Sequence, residues 1–174
     1  MEVQSGAATN AALIQNGLLF PLVKNLGVYK CPADRKQYKG VNTVRSMSMS
    51  AWMNSITSWN DIMGYSGTQR LRDFRKQSDI INPNPSSCWV FIDENPNSIN
   101  DGWFAADPNK PDLWYDCPAT YHNNAGGLSF ADGHAEIKRW RDAKLIGATS
   151  NNIQRDSKSD DLSWLTSRST SLMQ

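Results

Sequence analysis

Short apolar runs alternate with long polar ones along this chain, and three of the apolar runs read as β-structure. Gly127-Leu128-Ser129-Phe130 alternates with period two, as a half-buried strand does. Asp132-Gly133 follows, and Asp-Gly favours a tight turn because a type I′ hairpin needs positive φ at both central residues. Ala135 to Trp140 then alternates again. The pattern predicts strand, tight turn, strand over 128–140, with Phe130 and Ile137 facing the core. Cys88-Trp89-Val90-Phe91-Ile92 is a continuous apolar run, the mark of a central buried strand. Val44 to Met53 also alternates, and the larger side chains Met47 and Met49 are expected inward, with Ser46, Ser48 and Ser50 on the other side.

Helical signals are weaker. Thr9 or Asn10 can cap a segment in which Ala12, Leu13, Leu18, Leu19 and Leu22 supply apolar surface. Gly17 and Pro21 interrupt it, so one or two short helices are expected. Leu71 and Phe74, spaced i, i+3, predict a partly helical 68–80 with Arg70, Arg72, Arg75 and Lys76 on its solvated face. Stretches 54–67, 93–107 and 108–120 read as long loops carrying aromatic anchors; loops this long are often functional. Residues 150–160 read as a polar linker, and Asp161 to Thr166 returns Leu162, Trp164 and Leu165 to the core. The order of elements predicts an α+β fold: an antiparallel β-sheet, a C-terminal β-hairpin and short N-terminal helices. It forms a single domain over 9–166, with disordered tails at 1–8 and 167–174.

Composition narrows the possibilities. A chain of 174 residues can bury a real core. Its net charge of +1 supplies no bulk field for nucleic acid or an anionic membrane. No run of about 18 apolar residues spans a membrane, and Met1 to Gly6 lacks the basic-then-apolar pattern of a signal peptide. The three cysteines, Cys31, Cys88 and Cys117, make no C-x-x-C pair, which argues against a zinc knuckle or redox motif. In an oxidising compartment they predict one disulfide and one free thiol, with the pairing open. No local pattern points a base at any of them. Seven tryptophans serve either the core or an exposed platform for protein or glycan, for which Trp59, Trp103, Trp114 and Tyr115 are the candidates.

Two constellations carry candidate chemistry. The acidic loop that starts at Asp93 is dense in oxygen ligands, and Asp93, Glu94, Asn100 and Asp101 are candidates for a calcium site. The spacing is not that of an EF-hand, and the plainer account is that Asp93 and Glu94 end a strand and cap turns. The only two histidines, His122 and His134, together with Asp132, form an alternative set for Zn²⁺ or iron. Here the plainer account has Asp132-Gly133 as the turn, His122 fixing the Asn123-Asn124 loop and His134 exposed. A nucleophilic serine lacks its G-x-S-x-G elbow, and a glycosidase pair among Asp93, Glu94, Asp101 and Glu136 has no readable separation.

His122, nine residues, then Asp132-Gly133 resembles the C-terminal signature of prepilin-like proteins, the pseudopilins of type II secretion. Tyr29 to Arg35 (YKCPADR), Val44 to Met49 (VRSMSM), Phe91 to Pro96 (FIDENP) with Ser98 to Gly102 (SINDG), and Asp161 to Leu165 (DLSWL) follow the same ordered set. The resemblance spans roughly residues 10 to 166 and implies a pseudopilin-like globular head. It implies a structural or interaction subunit rather than an enzyme, contacting other pseudopilins or secreted cargo in the bacterial periplasm or cell envelope. It raises the expectation of calcium, because major pseudopilins bind it. Pseudopilins begin with a leader and a long apolar helix that anchors the full-length protein in the membrane; neither is present here, so a head without its anchor is expected. The alternative is an extracytoplasmic metal-dependent hydrolase or carbohydrate-binding protein on the same scaffold.

Overall fold

The computed structural model describes residues 6–54, 56–155 and 157–173. Its β-strands are β1 (Gln37–Tyr38), β2 (Val41–Asn42), β3 (Met47–Ser50), β4 (Trp89–Asp93), β5 (Trp103–Phe104), β6 (Leu113–Trp114), β7 (Ala125–Phe130), β8 (Ala135–Arg139) and β9 (Ile153–Gln154). The α-helices are short: α1 (Ala12–Gln15), α2 (Phe20–Val23), α3 (Trp59–Ile62), α4 (Ala143–Ile146) and α5 (Asp160–Thr166). The fold is α+β with antiparallel sheets. The main sheet has the order β5-β3-β4-β7-β8 and is antiparallel except where β5 lies parallel to β3. β4, the continuous apolar run, is central as its composition requires. Two small sheets, β1-β2 and β6-β9, lie outside it.

The C-terminal hairpin forms where expected, with Ser129 opposite Ala135 and Ala125 opposite Arg139. Its turn differs. Only Gly133 has positive φ, at 96°; its N–H donates to the Phe130 carbonyl at 3.0 Å, and Phe130 N–H donates to the His134 carbonyl at 2.9 Å. This is a three-residue loop closed by a left-handed glycine, not a two-residue type I′ turn.

One face of the main sheet is closed. Ile92 and Leu128 stand in register there and pack with Trp89, Phe104, Trp114, Trp140, Leu145, Leu162 and Leu165, all buried. α5 seals this side, its N-terminus capped by Ser159 Oγ, which accepts from Leu162 N–H at 3.3 Å. A second cluster, Trp52, Tyr65, Leu71, Phe74 and Cys88, lies beside it. The other face carries Met47, Met49, Phe91 and Ile137 and opens into a groove of about 690 Å³, whose far rim is Leu19, Leu22, Val23 and Val28. Among the described residues no helix is long and apolar enough to cross a membrane.

Several expectations are corrected. β3 alternates as predicted, but Ser46, Ser48 and Ser50 are buried and Met47 and Met49 line the open groove; Ser46 and Ser48 donate to the buried carboxylates of Asp93 and Glu94, and Ser50 Oγ accepts from Trp52 N–H. Phe130 is buried, but Ile137 is 71% exposed. The predicted helix over 68–80 is only two single 3₁₀ turns, Gly67–Gln69 and Gln77–Asp79. Leu71 and Phe74 instead bridge extended segments at Leu172 and Met53. The C-terminal tail is docked as far as it is described: Ser169 Oγ accepts from Trp89 Nε1 at 3.0 Å, and Arg72 N–H donates to the Ser171 carbonyl at 2.8 Å. Residues 6–8 begin a 3₁₀ turn with Ala8 buried; the rest of the predicted tails, residues 1–5 and 174, lie outside the described residues. Cys31, Cys88 and Cys117 are all free and buried, at separate places in the fold.

Candidate functional site

Three segments far apart in sequence meet at the end of β4. Cys31 opens a turn in which Asp34 N–H donates back to the Cys31 carbonyl at 3.0 Å, and Asp34 Oδ1 then accepts from Lys36 N–H at 2.8 Å. Lys30 Nζ braces the turn, 3.4 Å from Asp34 Oδ2 and donating to the Thr43 carbonyl at 2.7 Å. Cys31 N–H donates to Ser46 Oγ at 2.7 Å, and Ser46 Oγ–H donates to Asp93 Oδ1 at 3.0 Å. One serine hydroxyl thus ties the cysteine turn to the last residue of β4.

His122 enters from the turn before β7. Asn123 and Asn124 there have φ of 54° and 62°, a left-handed region that asparagine tolerates better than most residues. His122 N–H donates to the Ala125 carbonyl at 3.2 Å, and the Asn124 carbonyl accepts from Trp140 N–H at 2.7 Å, which pins the turn to the sheet. His122 Nε2 comes 3.3 Å from Cys31 Sγ. One donor atom each from Cys31, Asp93 and His122 lies within 4.8 Å of the other two. Cys31 and Asp93 are buried, and His122 is exposed. Burial pushes the Cys31 thiol up, and Asp93 beside it adds to that. Burial also raises the Asp93 carboxyl, against the opposing pull of Ser46, Cys31, His122 and the Gly127 N–H.

On the opposite face of the strand, Glu94 is buried among hydroxyls. Ser48 Oγ donates to Glu94 Oε2, and Ser98 Oγ donates to Oε1 at 2.8 Å. Nearby, Asp116 Oδ2 accepts from Ala105 N–H at 2.8 Å. Burial raises both carboxyls, and Asp116 adds to the rise on Glu94.

No protein family, curated protein or solved structure matches the chain.

The residues proposed for calcium do not converge. Asp93 turns toward Cys31 and Ser46, whereas Glu94 turns toward Ser48 and Ser98, because adjacent strand residues point to opposite faces. Asn100 and Asp101 are exposed, and Asp101 Oδ1 accepts from Trp103 N–H at 2.7 Å. This donor set does not fit one cation. His122 and His134 stand at opposite ends of the β7–β8 hairpin. His134 stacks on Phe130 with ring centroids 4.3 Å apart, and its Nδ1 is 2.6 Å from Asp132 Oδ1. Asp132 therefore belongs with His134, not with His122.

Of the proposed contact aromatics, Trp114 is a core residue, 1% exposed, with Nε1 donating to Asp142 Oδ2 at 3.1 Å. It is corrected from contact to core. Trp59, Trp103 and Tyr115 are half-buried. Trp59 and Tyr115 meet edge to face at 5.1 Å, so they pack on one another rather than offering one flat platform. Sequence reasoning missed Cys31. Its imidazole neighbour lies 91 positions away, and no local pattern around Cys31 points to it.

Proposed function

We propose that the chain is a structural or interaction subunit, similar to a pseudopilin head, that works in a bacterial envelope assembly by seating an apolar helix of a partner subunit on its open sheet face. The observation that supports this reading is the groove of about 690 Å³ between α2 and the sheet, walled by Leu22, Val23, Val28, Met49, Phe91 and Ile137. Its rim residues Leu22 and Ile137 are 83% and 71% exposed. A soluble domain that leaves a contiguous apolar surface open marks an interaction site. The occupant is better a helix than an extended peptide. A helix satisfies its own backbone hydrogen bonds, and it can lie on the sheet face that floors this groove, where the strands present side chains rather than backbone groups. Methionine on its floor suits a packed helix, since its side chain adapts to the knobs of a partner.

The test is titration of the purified chain with a Leu/Ala-rich amphipathic helical peptide, read by NMR shifts of the methionine methyl groups. Shifts confined to Met47 and Met49, and lost in Ile137→Asp, support the reading. Binding that maps elsewhere, or that Ile137→Asp leaves intact, overturns it.

A further inference from the structure

We propose that Cys31, Asp93 and His122 form a binding site for a thiophilic divalent cation, with Zn²⁺ the best match to the donor set. The argument begins with the donors. Thiolate, imidazole and carboxylate together are the ligand chemistry of zinc and its first-row neighbours, whereas calcium and magnesium take oxygen alone. The spacing agrees. A tetrahedral Zn²⁺, with Zn–S of about 2.3 Å and Zn–N of about 2.0 Å, holds its sulfur and nitrogen roughly 3.5 Å apart; Cys31 Sγ and His122 Nε2 are 3.3 Å apart. Donor atoms of all three residues lie within 4.8 Å of one another, so small side-chain rotations suffice to close them on an ion.

The same residue types could instead form a nucleophilic relay, and the geometry speaks against it. In a relay the carboxylate sits behind the imidazole, on the nitrogen remote from the nucleophile. Asp93 is on the thiol side. It accepts a hydrogen bond from Ser46 Oγ, and no hydrogen bond joins it to His122 among the described residues. Three donors that converge on one point suit a cation; a relay needs them in line.

The surroundings are those of a held site. Ser46 orients Asp93 and the Cys31 backbone together, which is the outer support that metal ligands require. His122 alone is exposed, so the fourth coordination position falls to water or to a side chain of a partner. The site would join the cysteine turn, the end of β4 and the histidine turn through one ion.

The test uses Co²⁺ alone as a spectroscopic probe on the purified full chain, followed by competition with Zn²⁺. The expected result is one equivalent of Co²⁺ with an intense sulfur-to-metal charge-transfer band, displaced by Zn²⁺. Cys31→Ser should abolish that band, while Cys88→Ser leaves it intact. His122→Gln should weaken binding by at least the roughly tenfold loss seen when outer-shell support is removed. Because His122 is exposed, that variant folds even where Asp93→Asn does not, and it decides the matter alone. No charge-transfer band, a band that survives Cys31→Ser, or a site lost in His134→Gln but kept in His122→Gln would each overturn the proposal. The metal readout does not involve the groove peptide, so this proposal and the docking reading fail separately.

Discussion

Gly126 and Gly127 are neighbours in β7, and they show how differently the two faces of the sheet are finished. A Cβ on Gly126 would meet the Ala119 carbonyl oxygen at 2.7 Å and Trp140 Nε1 at 3.4 Å. A Cβ on Gly127 would meet only Asp93 Oδ2, at 3.8 Å, an ordinary contact. The first face is filled to the backbone by the C-terminal third of the chain. The second is apolar but left open along most of its length, with polar chemistry gathered at one end. A closed face stores stability, and an open apolar face of the same sheet is available for binding. The difference comes from what crosses each face: α4, α5 and a row of tryptophans on one side, and only the short α2 and its flanks on the other.

The comparison can be broken from the closed side first. Trp140 is buried, donates from Nε1 to the Ala119 carbonyl at 3.1 Å, and meets Trp114 and Trp164 edge to face at 6.3 Å each. Trp140→Ala is expected to cost about 3–5 kcal/mol in urea unfolding. A loss under about 1 kcal/mol would mean the face is not packed as described. Next, Gly126→Ala should cost about 1–3 kcal/mol because backbone must move, while Gly127→Ala should stay within about 0.5 kcal/mol. Equal thermal melts for the two variants would erase the distinction between faces.

A pH series probes the buried acids on the closed side. Burial raises Glu94, and raises Asp116 to about 7. Their folded values lie above the unfolded ones, so the unfolded chain ionises first as pH rises. Stability from these groups is complete below the ordinary carboxylate range and is lost as pH climbs through the folded values. The protein is expected to be more stable near about pH 5 than near about pH 8, by about 1–3 kcal/mol. Asp116→Asn, whose amide oxygen can still accept from Ala105 N–H, should flatten that slope; an unchanged slope would locate the titration elsewhere. The smallest effect on stability belongs to the open face. Ile137→Ser, at a site 71% exposed, should shift the urea midpoint by less than about 0.5 kcal/mol, and a large loss there would show that the face is closed after all.

Local signals were legible where one residue's surroundings are mostly its own neighbours in sequence. The run at 88–92 became the central strand, and the alternation around Asp132-Gly133 became the hairpin, because period and turn chemistry are written within a few positions. The polarity of β3 was not legible. Alternation says that two faces exist, but not which is inside, and Ser48 went inward because Glu94, 46 positions later, is buried beside it. The 68–80 segment misled for a related reason: the i, i+3 spacing of Leu71 and Phe74 also serves an irregular chain anchored to remote residues, here Met53 and Leu172.

The sequence by itself therefore determined the α+β class, the strands at 88–92 and 128–140, the short helices near the N-terminus and the absence of a strong charge bias. Only the tertiary structure decided that Trp114 is core, that His122 faces Cys31 rather than His134, and that one sheet face stays open. Those outcomes depend on contacts between positions tens of residues apart. Their free energy comes from desolvation and packing summed over many partners, and no local pattern encodes it.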